Sequence, residues 1–156
     1  TADIVEAWRC PRGVVRRHLS RGVSEPFVFS LLVVFLVMAF VSLWPVASRA
    51  AVLQPEVPVT QRLVAAGLGL LATIPLWYGI AALSHLVCRT FGSKGTWYGA
   101  RLALFWSLVV VSPVMLLQGL VAGMIGPSPG LTLLQVMTGG SFLILWIAAM
   151  RELWRG

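Results

Sequence analysis

Four apolar stretches run along the chain at about residues 27–48, 63–88, 102–124 and 131–150, and none of them contains Asp, Glu, Lys or Arg. An α-helix rises ~1.5 Å per residue, so ~20 residues cross a hydrocarbon core of ~30 Å. Each stretch reaches that length, and the second has residues to spare for tilt. Water is absent from the bilayer core, so the backbone must satisfy its own polar groups and helices are the expected form. The pattern predicts an all-α, polytopic transmembrane bundle: a basic segment over residues 1–26, four spans within 27–150, and a short tail over 151–156.

The connectors carry turn residues. Pro45, Pro55 and Pro58 surround the end of the first span, and Gly92, Ser93, Lys94 and Gly95 follow the second. Gly126-Pro127-Ser128-Pro129-Gly130 forms an uncharged turn short enough to make the third and fourth spans antiparallel neighbours. Within the spans, Pro75 and Pro113 each remove one backbone donor and free a carbonyl four residues earlier, at Leu71 and Val109, which predicts kinks. Thr73 and Ser112 stand near enough to help satisfy the freed groups. Small residues at Ala65, Gly67 and Gly69, at Gly119 and Gly123, and at Gly139 and Gly140 allow close helix approach, within the chain or with another.

Charge supplies an orientation. Arg9, Arg12, Arg16, Arg17 and Arg21 precede the first span, Arg89, Lys94 and Arg101 surround the second connector, and Arg151 and Arg155 follow the last span. Only Arg49 and Arg62 lie in the first connector, and the third has none, a bias of ten against two. Basic residues near span ends favour the cytoplasmic side. Both termini and the Gly92 loop are therefore expected inside, with the Pro55 and Pro127 connectors outside. In the N-terminal stretch WRCPRGVVRRHLSRG, Pro11 can open a helix that gathers Trp8, Val14, Val15 and Leu19 on one side. Such a helix would lie along the membrane surface, with Arg12, Arg16, Arg17 and Arg21 near anionic headgroups at ~1 kcal/mol each. The alternative is an ordinary basic flank. Trp8, Trp97, Tyr98 and Trp154 are expected at the inner interface and Trp44 at the outer one.

Composition agrees: 58% of the 156 residues are hydrophobic and 11% charged, with a mean hydropathy of +0.89. A soluble domain carries roughly 25% charged residues. The net charge of +7 does not indicate nucleic acid, because the basic residues flank apolar segments instead of forming a polar surface with aromatics. The two cysteines, Cys10 and Cys88, are too few for a disulfide framework, and the first apolar run follows a long arginine-rich segment unlike a secretory signal.

Chemistry is sparse. Gly92-Ser93-Lys94-Gly95-Thr96 holds the residue types of a phosphate loop in the wrong order, after a membrane helix instead of a strand, so no nucleotide is expected. Cys10, His18, His85 and Cys88 are zinc-ligand types, and His85 is a haem-ligand type, but the spacing matches no common metal pattern. No metal or cofactor is expected. The acids Asp3, Glu6, Glu25, Glu56 and Glu152 all lie outside the spans, which removes the usual proton-coupling group and any paired catalytic constellation.

Three regions resemble the Yip family, the Ypt-interacting-protein type of small multi-spanning proteins, in its bacterial branch. CPRGVVRRHLSRG looks like that branch's Pro-Arg element before the first span. GSKGTWYGARLALFWSLVVVSPVMLL is similar to its Gly-rich turn leading into a span with a central proline, and IAAMRELWRG resembles its Ala-x-x-x-Glu-Leu segment. The resemblance implies a compact bundle, usually of five spans, without enzymatic activity, that organises membrane complexes or traffic. Four spans are visible here, so a fifth is either absent or follows residue 156.

The sequence thus suggests a non-catalytic accessory or scaffold subunit of a larger complex in a bacterial inner membrane. Two alternatives stay open: a small transporter or channel component with a path near Pro75 and Pro113 lined by Thr73, Ser112 and Gln118, and an organiser that binds anionic lipid through the N-terminal arginines.

Overall fold

A computed structural model describes residues 23–90 and 95–155, with side chains up to Arg151. Its helices are α1 (Glu25–Leu53), α2 (Val59–Ala72), α3 (Ile74–Thr90), α4 (Trp97–Met124) and α5 (Pro129–Arg155), and no strand occurs among the described residues. Four segments are long and apolar enough to cross a membrane: Glu25–Leu53, Val59–Thr90, Trp97–Met124 and Pro129–Arg151. The all-helical, four-span architecture is as expected from the apolar pattern. The helix expected in the N-terminal tail, with Trp8, Arg12, Arg16, Arg17 and Arg21, lies outside the described residues, as does Lys94.

α4 is the centre of the bundle. Every residue from Leu102 to Ser112 is buried, and α1, α3 and α5 all pack on it. α1 contributes a single stripe of buried residues, Val28, Leu31, Leu32, Phe35, Leu36, Ala39 and Ser42, at the i, i+3, i+4 spacing of one helix face. Its opposite face, including Val33, Val37, Val41 and Trp44, is exposed. Both faces are apolar because the outer one meets lipid, so van der Waals fit rather than hydrophobicity selects the inner one.

The second span changes partner midway. α2 packs on α1, and α3 packs on α4. The break between them falls at Thr73, two residues before Pro75, whose missing N–H interrupts the helical ladder. The Thr73 hydroxyl donates to the Leu70 carbonyl at 2.6 Å, not to Leu71, and accepts the Trp77 indole N–H at 3.1 Å. Trp77 then meets Phe35 of α1 edge-on at 5.5 Å, and Tyr78 meets Phe105 of α4 edge-on at 5.3 Å.

Pro113 behaves differently: α4 continues through it, and the Ser112 hydroxyl donates to the freed Val109 carbonyl at 2.8 Å. Pro45 was expected to punctuate the end of the first span and instead lies inside α1, which runs on to Leu53. A proline is tolerated within a transmembrane helix where neighbouring helices accommodate it, and Pro45 rests on a glycine of α4. α4 also begins earlier than the apolar run suggests, because the Thr96 hydroxyl accepts the Gly99 N–H at 3.1 Å as an N-cap. At α5 the Ser128 hydroxyl likewise accepts the Leu131 N–H at 3.2 Å, with Pro129 opening the helix.

Candidate functional site

Small residues let α1 and α4 meet backbone to backbone. A Cβ on Gly119 would overlap the carbonyl of Ser42, and one on Gly123 would lie 2.6 Å from the carbonyl carbon of Pro45. The Gly119-x-x-x-Gly123 pair therefore serves an internal contact. One turn further on, Arg49 of α1 donates to the carbonyls of Gly123 and Met124 at 3.4 and 3.2 Å, satisfying the end of α4. Gly126 follows with φ 84°, and a Cβ there would come within 2.7 Å of the Arg49 guanidinium.

Arg62 plays a parallel part at the end of α1, donating to the carbonyls of Val57 and Gln54 at 3.2 and 3.1 Å and to the Gln54 side chain at 3.2 Å. The two arginines counted on the predicted outer side are thus both engaged with carbonyls at helix ends or in the connector beside them. Sequence reading missed both roles; their proximity to helix ends was the available signal.

Inside the spans, several hydroxyls bond to their own helices. Ser42 donates to Ala39, Ser84 to Ile80, Ser107 to Ala103 and Thr138 to Leu134, each to a backbone carbonyl. Gln118 joins two helices: its amide donates to the Leu134 carbonyl at 3.1 Å and to the Thr138 hydroxyl on α5. Thr73, Ser112 and Gln118, the residues considered for a transport path, are each held in such bonds.

At the opposite end of the bundle, Arg101 of α4 and Glu25 of α1 form an ion pair at 2.5 Å. Trp97 is 47% exposed and its ring lies 4.2 Å from the buried His85, whereas Tyr98 is only 6% exposed and belongs to the core. Of this aromatic pair, the exposed surface suited to lipid headgroups is on Trp97. The remaining glycines divide as well. Gly67 lies against Phe40, with a Cβ reaching its ring at 3.4 Å, while a Cβ on Gly69, Gly139 or Gly140 would meet nothing within 4 Å among the described residues.

The described residues also form an open cavity of ≈ 490 Å³ between α3 and α5. Ile80, Leu83 and Val87 line one wall and Trp146, Ile147 and Met150 the other, with Ser84, Cys88 and Arg151 also on its surface. The Trp146 indole N–H is buried without a hydrogen-bond partner among the described residues. No group of three or more His, Cys, Asp or Glu capable of holding a metal occurs among the described residues.

No curated protein and no solved structure is significantly similar to the chain. The family model described as the Yip1 domain matches residues 5–155, which includes all the helices and the seam between α1 and α4. The chain is a multi-spanning membrane protein and belongs to the Yip1 domain family.

Proposed function

We propose that this protein acts without catalysis as an accessory or scaffold subunit of a larger complex in a bacterial inner membrane, with its N-terminus in the cytoplasm. The observation that carries this reading is a contrast among glycines. Gly119 and Gly123 are covered by α1, whereas a Cβ on Gly139 or Gly140 of α5 would meet nothing within 4 Å among the described residues. Small residues are useful in a membrane where another backbone approaches closely, and a second protein is the partner that would make such an approach at α5. Packing surface is the main resource of the spans, and the Ser42, Ser84, Ser107 and Ser112 hydroxyls are bonded to helix carbonyls. The basic excess at the Arg101 end and the tail supports the orientation.

Purification in mild detergent tests the reading. A stable larger assembly should form, and Gly139→Leu with Gly140→Leu should release this protein from it while leaving the isolated chain folded. A lone monomer, or an assembly indifferent to both substitutions, would reject it.

A further inference from the structure

We infer that the cavity between α3 and α5 is a binding site for one anionic phospholipid, with an acyl chain against the apolar walls and the phosphate on Arg151. Its volume of ≈ 490 Å³ lies within the ~300–1,000 Å³ of small-molecule sites. A transmembrane helix ~10 Å across needs over about 1,000 Å³ for even ten residues, so the space suits hydrocarbon chains better than a helix.

Position favours the same occupant. Ile80 to Cys88 spans about 12 Å of α3 at the helical rise, and the last turns of α5 bring Met150 and Arg151 to the same end of the bundle. The walls therefore run from interfacial depth into the hydrocarbon, as an acyl chain does. Polarity along the cavity is arranged in that order. Arg151, exposed, is the charged residue of the lining, and the Ser84 hydroxyl deeper down is bonded to the Ile80 carbonyl at 2.5 Å.

Charge selects an anionic headgroup. The charged residues with described side chains at this end are Arg89, Arg101, Arg151 and Glu25, and Glu25 is paired with Arg101. Arg89 is exposed in the last turn of α3. The buried Trp146 indole N–H, about a turn and a half below Arg151, has no acceptor among the described residues. A glycerol ester carbonyl, which lies below the phosphate in a phospholipid, is an acceptor of the kind it would take. This inference is independent of the scaffold reading, and neither fails with the other.

Native mass spectrometry of the full chain, delipidated and titrated with phosphatidylglycerol or phosphatidylcholine of the same acyl chains, tests it. One phosphatidylglycerol should be retained in preference to phosphatidylcholine. Arg151→Gln should weaken that preference roughly five-fold, the equivalent of one basic residue near an anionic surface. Ile147→Trp, which fills the cavity, should abolish retention of either lipid in a protein that remains monodisperse and helical.

Brominated phosphatidylglycerol supplies a readout on the unaltered cavity: it should quench a fluorescence component that Trp146→Phe removes. Equal binding of the two lipids, unchanged retention in folded Ile147→Trp, or quenching insensitive to Trp146→Phe would each overturn the site. So would a co-purifying protein, in place of lipid, lost with Ile147→Trp. Simultaneous Arg12→Gln, Arg16→Gln and Arg17→Gln should leave Trp146 quenching intact; its loss would move the lipid to the N-terminal segment.

Discussion

Gly119 presses so closely on Ser42 that a Cβ at the glycine would come within 2.7 Å of the Ser42 carbonyl carbon. Backbone lies on both sides of this contact, so no side chain can turn away to make room. Gly119→Ala should therefore destabilise the protein by about 1–3 kcal/mol, the usual cost of overpacking, and Gly123→Ala should act similarly through Pro45. Gly139→Ala and Gly140→Ala, which enter open space, should stay within about 0.5 kcal/mol. Thermal unfolding in detergent separates the two pairs, and equal shifts would contradict the α1–α4 seam.

Arg49 and Gly126 form the next layer of that seam. The arginine satisfies the last carbonyls of α4, and the glycine supplies the positive φ that turns the chain toward α5. Arg49→Met should lose roughly 1.5–3 kcal/mol, as expected for hydrogen bonds from a charged group, and Arg49→Lys should recover part of it. Gly126→Ala should cost about 1–2 kcal/mol from the left-handed backbone alone. Chemical unfolding of the three variants checks the order; an inert Arg49→Met would mean that the cap contributes nothing.

The pair Ser112 and Pro113 offers a cleaner measurement. Pro113 cannot donate to Val109, and the Ser112 hydroxyl takes that place at 2.8 Å. Ser112→Ala should cost about 1 kcal/mol in the native background and much less beside Pro113→Ala, where the restored N–H bonds the same carbonyl. A double-mutant cycle measures this coupling. Purely additive effects would show that the hydroxyl does not compensate for the proline.

These contacts show where sequence reading stops. The spans were legible because uncharged runs of membrane length leave little alternative, and the Gly126–Gly130 turn was legible from its composition. The inner face of α1 was not: Leu32 and Val33 are equally suited to core and lipid, yet one is fully buried and the other 41% exposed. For the same reason Gly119 and Gly139 look alike in sequence and only the three-dimensional packing separates them. Pro45 misled because its place inside α1 depends on Gly123, far away along the chain. The cavity was illegible too, since its walls come from α3 and α5 and its apolar residues resemble every other lipid-facing position.

Gln118 joins α4 to α5 through the Leu134 carbonyl and the Thr138 hydroxyl, well inside the spans. Polar links between transmembrane helices average ~0.6 kcal/mol and reach ~1.7, so Gln118→Leu should cost within that range and chiefly loosen α5. Thr138→Val should lose less, because the Gln118 amide keeps its bond to Leu134. Hydrogen exchange on α5 distinguishes this from general destabilisation: protection should fall around Leu134 and Thr138 while the buried run from Leu102 to Ser112 stays protected. Uniform loss across α4 and α5 would mean that the amide supports the whole bundle instead of tying down one peripheral helix.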